Sequence, residues 1–548
     1  MDVTLTNSLR YWLAPVLIGI ASLLIYSINL EKPPHHDEFY HMLAAKGLLA
    51  TGEPAIGEDG RYWRGYPWTW LVARSFELFG ESLTAGRLPS VVLMAALVVL
   101  LFAFLRREAG GTAAWLGAGL FAVSPFAIEL AQFIRFYSLQ CLAFFAAAWL
   151  VYAIPQGPFR PVRQVPMAAL ALFLVAVAFY LQPTTLLGVV GLGLWLAGAL
   201  LLPWLGDPAM PRSRKIALLG ALAVSGLVVL GLAWASGLLA ALWQDYRSTA
   251  LFNQPYANQF WFYHAWYSLL YPTLWTLSGV LALLALIRWP RPAGFLLVVF
   301  ATGFLLNSFA AAKNMRYLAY AQPFLFGLWG LGLAVVLEGA GRFLRHAGSE
   351  LTVRFSLLPP ALARVIAGSL VVLAVLFVVI ANPAWLRSAT LLAGITVPPQ
   401  LPPTRWTVAR PALEPWVEQV DVVVTTDDLA MLYYFGRADY LLSTSRLGEQ
   451  PVANRVRFVP DFRTDVPIVP DQESFELVLN CHASGLFVTQ VGYWITGERT
   501  RADVEDVAPL ILDRAMPLEL PPQSRLVAFV WDHELPTPRP AACAALPR

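Results

Sequence analysis

The chain has 548 residues, of which 58% are hydrophobic and 13% are charged, and its mean hydropathy is +0.59. These values exclude a disordered chain and a wholly soluble protein. The 38 basic and 35 acidic side chains leave a net charge of +3. Since the chain has no basic tail or basic low-complexity run, we expect no nucleic-acid partner.

Long apolar runs fill the first two thirds of the chain. The first run, 11–30, has no charged residue and is long enough to cross about 30 Å of hydrocarbon. Because it lacks an A-x-A cleavage site, we interpret it as a retained anchor. About eleven transmembrane helices are predicted, at 11–30, 88–105, 112–129, 137–154, 167–181, 184–204, 216–241, 267–287, 293–311, 317–337 and 362–381.

Basic residues give these spans an orientation. If the N-terminus with Arg10 is cytoplasmic, every cytoplasmic connection is basic, as the positive-inside rule requires. The loop 31–87 and the C-terminal part are then outside, and we expect the outer face of a bacterial cytoplasmic membrane. The supporting cytoplasmic cations are Arg106, Arg107, Arg160, Arg163, Arg212, Arg214, Lys215, Arg288, Arg291, Arg342, Arg345 and Arg354.

The composition changes after residue 390. Residues 400–548 contain 13 Arg, no Lys and 20 acidic residues, a local charge of −7. We predict a membrane domain 1–390 that includes the outer loop 31–87, a proline-rich linker 391–404, and an extracytoplasmic α/β domain 405–548. In the last, strands are predicted at 422–425, 476–480, 486–490 and 525–530, and a helix at 429–435 after an Asp427-Asp428 cap.

The fold class predicted is therefore mainly α: a polytopic helical membrane protein with a C-terminal α/β domain. Three cysteines are too few for a disulfide framework. Cys481 and Cys543 both fall in the C-terminal part, where an oxidising compartment would allow one bridge, and the sequence leaves that question open.

The outer loop begins with His35-His36-Asp37-Glu38-Phe39-Tyr40-His41. One interpretation is structural: Asp37 caps an amphipathic helix that lies along the membrane interface. The other is chemical, because a carboxylate at this surface can act as a general base toward a lipid head group. Both can hold together. A metal site formed by His35, His41 and a carboxylate is an alternative, although the spacing matches no specific zinc pattern.

The cations of the outer connections, on the side that the positive-inside rule disfavours, include Arg135, Lys313 and Arg316. Each could simply extend toward lipid head groups. Together they favour a site that holds an anion.

The order of these motifs resembles GT-C membrane glycosyltransferases, in particular the branch with protein O-mannosyltransferases and the aminoarabinose transferase of lipid A. The resemblance covers about residues 11–340. Each motif alone is loosely defined, and the combination of motifs in this order makes the resemblance specific. The residues that carry it are Asp37-Glu38, Tyr66-Pro67-Trp68, Phe76-Glu77-Leu78-Phe79-Gly80, Arg87-Leu88-Pro89-Ser90, Arg135-Phe136-Tyr137, Gln182-Pro183-Thr184, the aromatic stretch 260–267, and Lys313 to Tyr317 with Pro323.

The resemblance implies a transferase that moves one sugar from a polyprenyl-phosphate carrier to an acceptor hydroxyl or phosphate on a lipid, glycan or protein, with inversion. By this analogy Asp37 is the general base, Glu38 positions it or the sugar, and Arg135, Lys313 and Arg316 hold the carrier phosphate. No cofactor is required, and a divalent metal is unsupported. Further candidates for the substrate pocket are His36, Tyr62, Tyr137, His264 and Tyr317.

The chain also departs from the family pattern. Family members often have an Arg-Glu pair where this chain has Gln132-Phe133, and a His where it has Gln182, and Glu129 could replace the missing acid. The main alternative function is a transporter or flippase of lipid-linked saccharides. Such proteins place ionisable residues inside their spans, whereas the charges here collect at the outer ends and loops. A non-catalytic assembly or sensing protein is a third interpretation.

Overall fold

The structure is a computed structural model that describes residues 2–57, 59–156, 160–206, 259–310, 313–354, 360–396, 402–449, 456–497, 499–535 and 541–547, and scattered residues between 211 and 244. The chain divides into two compact units. The helical unit comprises Met1–Ile28, Ser90–Gln132 and Phe136–Ala393, and the mixed unit comprises Asn29–Pro89, Phe133–Arg135 and Gly394–Arg548. In this division the loop 31–87 groups with the C-terminal part. The predicted domain boundaries stay a prediction.

The helical unit consists of apolar helices. Over the described residues they are α1 (Asp2–Tyr26), most of α4 (Leu83–Ala109), α5 (Gly111–Ala122), α6 (Pro125–Ala131), α7 (Tyr137–Ala153), α8 (Pro161–Leu181), α9 (Thr185–Gly206), α10 (Phe262–Leu270), α11 (Pro272–Thr276), α12 (Ser278–Arg288), α13 (Pro290–Phe309), α14 (Gln322–Arg354), α15 (Pro360–Ile380) and α16 (Ala384–Ala393). A 3₁₀ helix, Met315–Ala321, precedes α14.

Within the described residues, five helical stretches are long and apolar enough to cross a membrane, and up to seven if each of two bent pairs is one span. The polytopic mainly α fold is thus confirmed, while the count of eleven spans stays a prediction. The predicted span 216–241 lies largely outside the described residues. The five stretches are Leu83–Ala109, Pro161–Leu181, Thr185–Pro203, Pro290–Phe309 and Met315–Gly339.

Prolines account for interruptions in two predicted spans. The run 112–129 becomes α5 and α6, bent by 60°, because Ser124 caps Ala127 N at 3.2 Å and Pro125 begins a new helix. The run 267–287 lies in three consecutive helices, α10 to α12, with Pro272 in the first turn of α11. A proline cannot donate to the preceding turn, so the chain starts a new helix there.

The mixed unit begins with the outer loop. It contains α2 (His36–Thr51), a small antiparallel pair β1 (Ala55–Ile56) and β2 (Gly60–Arg61), α3 (Tyr66–Phe79) and the first turns of α4. Helix α2 is buried over eight consecutive residues, from Glu38 to Ala45. The helix predicted after the first span is therefore present. Half of its residues are buried inside this unit, whereas an amphipathic helix along the membrane interface was the prediction.

The C-terminal part is a six-stranded mixed sheet with helices. Its strands are β3 (Val422–Thr425), β4 (Tyr440–Leu442), β5 (Ile468–Val469), β6 (Ser484–Gln490), β7 (Met516–Leu518) and β8 (Leu526–Asp532), in the order β5-β4-β3-β6-β8-β7. The first four in this order are parallel, β8 is antiparallel to β6, and β7 is antiparallel to β8. The associated helices are α17 (Trp406–Gln419), α18 (Asp428–Phe435), α19 (Thr444–Glu449), α20 (Gln472–Cys481) and α21 (Ala502–Arg514).

The predicted α/β character of this part is confirmed, with one wrong element. Residues 476–480 form the end of α20 and not a strand, because Asp471 caps the helix and Phe475, Val478 and Leu479 bury one face at helical spacing. The predicted helix at 429–435 is α18, capped by Asp427. Cys481 and Cys543 form a disulfide, which answers the question that the sequence left open.

Two glycines fix the contact between α5 and α14 in the helical unit. A Cβ atom added to Gly330 would lie 2.4 Å from the Cα atom of Gly117, whereas one added to Gly339 would meet nothing within 4 Å. Small residues at such crossings let membrane helices pack backbone to backbone.

We expect Gly330→Ala to lower the unfolding temperature of the detergent-solubilised protein, because overpacking costs about 1–3 kcal/mol. Gly339→Ala is the matched control on the same helix and should leave that temperature unchanged or raise it slightly. Equal unfolding temperatures for the two variants would contradict the observed packing.

Candidate functional site

The N-terminus of α2 is fixed by a capping box. His35, not the predicted Asp37, is the capping residue: its Nδ1 accepts from Asp37 N at 3.1 Å, while Glu38 Oε1 accepts from His35 N at 2.8 Å. The reciprocal bonds satisfy donors that a helix start leaves open. Asp37 therefore stands in the first turn, where a negative charge is favoured by the helix dipole.

Glu38 is held by a buried ion pair. Arg87 of α4 donates from Nε and Nη2 to the two carboxylate oxygens at 3.0 and 2.8 Å, and Ile134 N donates to Oε2 at 3.0 Å. The side chains of Arg87 and Glu38 are 0% and 2% exposed. Arg87 Nη1 also donates to the carbonyls of Leu30 and Lys32. One guanidinium thus ties together α2, α4 and the segment before α2.

These partners keep Glu38 ionised. Burial alone would raise the pKa of its carboxyl group, but Arg87 and the two backbone N–H groups outweigh burial and lower that pKa. The geometry is that of a positioning residue, since both oxygens already accept hydrogen bonds. The catalytic role predicted for Glu38 beyond positioning stays a prediction.

Arg135 lies beside the backbone of Asp37. Its Nη1 donates to the hydroxyl of Tyr62 at 3.0 Å and to the backbone carbonyl of Asp37 at 3.4 Å. The Tyr62 ring stacks on Tyr40 with centroids 4.8 Å apart and meets the ring of His41 edge-on. Residues distant in the sequence therefore surround the first turns of α2.

The C-terminal part of the mixed unit adds a second set of contacts to α2. His36 Nδ1 lies 3.0 Å from Asp427 Oδ1, and the Tyr40 hydroxyl accepts from Arg446 at 2.6 Å and from Arg463 at 3.1 Å. His36 and Tyr40 are four residues apart and so share a face of the helix. Their partners follow the carboxyl ends of parallel strands: Asp427 comes after β3, and Arg446 comes after β4.

The His36–Asp427 pair supports charge on both groups. Packing around His36 disfavours its charged form, but the Asp427 carboxylate outweighs this and raises the pKa of the ring. Burial would raise the pKa of Asp427, yet His36, Ala430 N and Gln490 together lower it. The pair stabilises the unit at pH values between the pKa of Asp427 and the pKa of His36. Its contribution is lost as pH falls through the first or rises through the second.

A cavity of about 740 Å³ opens among these residues, entirely within the mixed unit. Strands β3, β4 and β6 present their carboxyl ends to it, which is the usual place for ligands in open α/β sheets. Acidic lining residues are Asp37, Asp427, Asp428 and Glu449, and aromatic ones include Tyr40, Tyr62 and Trp63. The arginines that line it are Arg61, Arg64, Arg135, Arg446, Arg463 and Arg501.

Lys313 has a different environment, within the helical unit. Its ammonium donates to the carbonyls of Asn307, Ser308 and Ala310 at 3.1, 2.5 and 2.6 Å, at the C-terminal end of α13. An ammonium group has three donors, and these carbonyls take all three. Burial lowers the pKa of Lys313 to about 8. In this geometry Lys313 caps a helix, and its role in phosphate binding stays a prediction.

Of the other predicted pocket residues of the helical unit, Tyr137 lies beside Arg316. Arg316 Nε donates to Asn314 Oδ1 at 3.2 Å, and its guanidinium lies 5.8 Å from the ring centroid of Tyr137. Tyr317 contributes its carbonyl to a long contact with Thr184 Oγ1, 3.4 Å. His264 is exposed and accepts from Trp275 Nε1 at 3.0 Å. Arg316 and Tyr137 thus come together, and His264 belongs to a separate aromatic contact.

The alternative metal site gains no support from the described residues, in which no three His, Cys, Asp or Glu side chains are placed to share an ion. His41 is buried and its Nδ1 lies 2.9 Å from Thr69 Oγ1. At the departures from the family pattern, Gln132 donates to the carbonyls of Tyr26 and Ile28. Gln182 is buried, and Glu129 is exposed.

Sequence reasoning missed several residues that shape the cavity. Arg87 carried a signal, since it is a charge at the start of a membrane-length apolar run, which is costly without a partner. Asp427 was predicted only as a helix cap. Arg446 and Arg463 gave no signal, because nothing local indicates that residues about 400 positions apart meet at Tyr40.

Replacing Glu38 by Gln should lower the free energy of unfolding by about 3–5 kcal/mol, because Arg87 would be left buried without its counter-charge. The measurement is thermal or denaturant unfolding in detergent. Glu53→Gln is the control: it breaks the exposed pair with Arg61, 2.9 Å, and should cost less than about 1 kcal/mol. Similar losses for the two variants would contradict the structural role of the buried pair.

Comparison with known proteins gives one family match. Residues 67–234 match the sequence profile of the dolichyl-phosphate-mannose-protein mannosyltransferase family. No curated protein sequence matches the chain.

Solved structures show the fold. The apo structure of ArnT from Cupriavidus metallidurans matches with a TM-score of 0.54 and 17% identity, over 95% of this chain and 98% of that one. The structure of the same protein bound to undecaprenyl phosphate matches with a TM-score of 0.54 and 15% identity, over 94% of this chain and 97% of that one. A third match is the oligosaccharyltransferase AglB from Archaeoglobus fulgidus, in complex with an inhibitory peptide and a dolichol-phosphate. Its TM-score is 0.54 and its identity 12%, over 88% of this chain and 70% of that one. The predicted resemblance is thereby confirmed at the level of the fold: the chain folds like ArnT and AglB, and its residues 67–234 match the profile of the mannosyltransferase family.

Proposed function

We propose that this protein is a membrane glycosyltransferase that transfers one sugar from a polyprenyl-phosphate carrier to an acceptor at the outer face of a bacterial cytoplasmic membrane. The observation that carries the proposal is the position of Asp37. Its carboxylate is 25% exposed, stands in the first turn of a helix locked by Glu38 and Arg87, and lines the 740 Å³ cavity. The fold shared with ArnT and AglB supports it.

The reaction needs one base and a place for a leaving anion. Asp37 accepts the proton of the acceptor hydroxyl as its oxygen attacks the anomeric carbon. The bond from that carbon to the carrier phosphate oxygen breaks, its electron pair leaves with the polyprenyl phosphate, and the configuration inverts. A base of this kind contributes about 10² to 10⁴ in rate.

Glu38 and Asp37 have different tasks in this mechanism. The carboxylate of Glu38 has Arg87 and backbone N–H groups on both oxygens and fixes the direction of the first turn. The side chain of Asp37 is the more exposed of the two. A rigidly held base reacts without reorganisation, and an error of about 1 Å in its place can cost 100-fold in rate.

The phosphate of the carrier is the second requirement. Fixed cations stabilise the growing charge on the leaving phosphate, so no metal is required by the proposal. Arg135 and Arg316 are the proposed ligands, the first beside Asp37 and the second beside Tyr137. Lys313 is the weaker candidate, because carbonyl groups take its three donors. ArnT bound to undecaprenyl phosphate supports such a carrier.

The cavity indicates what the acceptor site offers. Aromatic rings such as Tyr62 and Trp63 provide faces for a sugar, and guanidinium groups provide donors for hydroxyls, phosphates or carboxylates. The identity of the sugar, hexose or pentose, and the choice of a lipid, glycan or protein acceptor are set by details of this lining.

The first test uses Asp37→Asn in proteoliposomes with a panel of undecaprenyl-phosphate sugars. We expect transfer to fall by at least about 100-fold, while binding of undecaprenyl phosphate stays near that of the wild type. The readout is glycosylated product and released undecaprenyl phosphate. Asp59→Asn, an exposed carboxylate in the same loop, is the control and should retain full activity.

Full activity of Asp37→Asn would reject its role as base. Movement of the sugar lipid across the bilayer by the wild type, with the sugar still attached to its carrier, would favour the transporter instead.

The second test separates Arg316 from Lys313. We expect Arg316→Ala to weaken undecaprenyl phosphate binding at least about tenfold without lowering the unfolding temperature, because a charge-assisted contact is lost. Lys313→Ala should chiefly lower that temperature, since it frees three carbonyls at the end of α13. Native mass spectrometry and thermal unfolding measure the two effects. Unchanged binding in Arg316→Ala would favour the interpretation that this arginine only extends toward lipid head groups.

A further inference from the structure

We propose that the C-terminal part of the mixed unit positions Asp37, and that Asp427 and Arg446 are the positioning residues through which it acts. The inference deepens the proposed function and rests on it for the catalytic role of Asp37. It gives the C-terminal part of the mixed unit a role in positioning the proposed base.

The first contact is at the residue next to Asp37. His36 occupies the first turn of α2, and its Nδ1 lies 3.0 Å from Asp427 Oδ1. Asp427 is itself held from three directions. Thr425 Oγ1 accepts from its backbone N at 3.0 Å, its Oδ1 accepts from Ala430 N at 3.3 Å, and Gln490 Nε2 donates to its Oδ2 at 3.3 Å. A carboxylate fixed to β3, α18 and β6 therefore holds the ring that precedes the base.

The second contact is one helical turn further on. The Tyr40 hydroxyl accepts from Arg446 at 2.6 Å and from Arg463 at 3.1 Å. Arg446 is anchored by Asp428 at 3.3 Å and Asp461 at 3.6 Å, and its side chain is 10% exposed. Because these acids are almost fully buried, the guanidinium has little freedom to follow a displaced tyrosine.

Two contacts four residues apart fix a helix more tightly than one. A single contact at His36 would let α2 rotate or tilt about that point. With Tyr40 held as well, the face that bears both side chains keeps its direction, and Asp37 keeps its place beside the cavity. The Tyr40 ring also stacks on Tyr62, whose hydroxyl accepts from Arg135. Tyr40 is thus connected through Tyr62 to Arg135, the proposed phosphate ligand.

Asp427→Asn tests the first contact in the full-length protein in nanodiscs. Asparagine retains the oxygen that caps Ala430 N, since Asn and Asp are equivalent caps, but it loses the charge that faces His36. We expect backbone amides of residues 37–45 to exchange with deuterium about tenfold faster. We also expect kcat to fall about 10- to 100-fold, with KM for the active sugar donor within about twofold.

The matched control is Asp471→Asn, the same change at the cap of α20, where Asp471 Oδ1 accepts from Ser474 N at 2.8 Å. It should change neither exchange in 37–45 nor kcat. If the two variants behave alike in both measurements, the proposal is overturned.

Tyr40→Phe tests the second contact by removing the hydroxyl and keeping the ring on Tyr62. We expect the same faster exchange and a fall in kcat with little change in KM. Tyr434→Phe is its control, because the Tyr434 ring also contacts α2, at Phe39 with centroids 5.8 Å apart. Equal exchange and equal kcat in the two tyrosine variants would exclude Arg446 as a positioning residue.

The two proposals fail in distinguishable ways. If no sugar donor supports transfer by the wild type but the Asp427 and Tyr40 variants loosen 37–45, the proposed function is wrong and the coupling to α2 stands. If the wild type transfers sugar and neither variant alters exchange or kcat, the proposed function stands and the positioning role is wrong.

Discussion

The mixed unit depends on the buried pair between Glu38 and Arg87. Removing two charges from water costs several kcal/mol for each, and only good geometry recovers that energy. Here the pair is bidentate, the remaining lone pairs of Glu38 accept from His35 N and Ile134 N, and Arg87 also donates to two carbonyls. Four chain segments converge on the pair. Such a site is costly to disturb, and the base proposed at Asp37 would require surroundings of this kind.

Around this pair, the charges separate by exposure. Buried ones, such as Glu38 and Asp461, have structural partners and hold elements together. Partly exposed ones, such as Asp37 and Arg463, line the cavity. Since a buried charge is useful only with its partner, whereas an exposed one can exchange water for a ligand, exposure is the physical basis for assigning chemistry to Asp37 and structure to its neighbour.

The sequence predicted the fold class because it depends on long-range averages: apolar runs, arginine placement and the change of composition after residue 390. It also located Asp37, Glu38 and Arg135 near the site through the order of motifs. Only the family resemblance gave Asp37 and Glu38 different roles, because the two residues are adjacent and chemically alike and their difference lies in the distant Arg87. Lys313 shows the same limit, since the carbonyls that take its three donors become visible only when α13 ends beside it.

Strand 476–480 was mispredicted for a related reason, because a short apolar alternation fits both a strand and one face of a helix until a cap such as Asp471 decides. The His36–Asp427 contact joins residues 391 positions apart, and each end has a sufficient local explanation, one as part of a helix start and the other as a helix cap. That is why Asp427 was predicted only as a helix cap, and His36 only as a candidate for the substrate pocket. A residue that already serves as a cap can serve as a support at no additional cost in buried charge, since the carboxylate is present and ordered in any case. The carboxyl ends of β3 and β4 are therefore economical places from which the C-terminal part of the mixed unit can hold the first turns of α2.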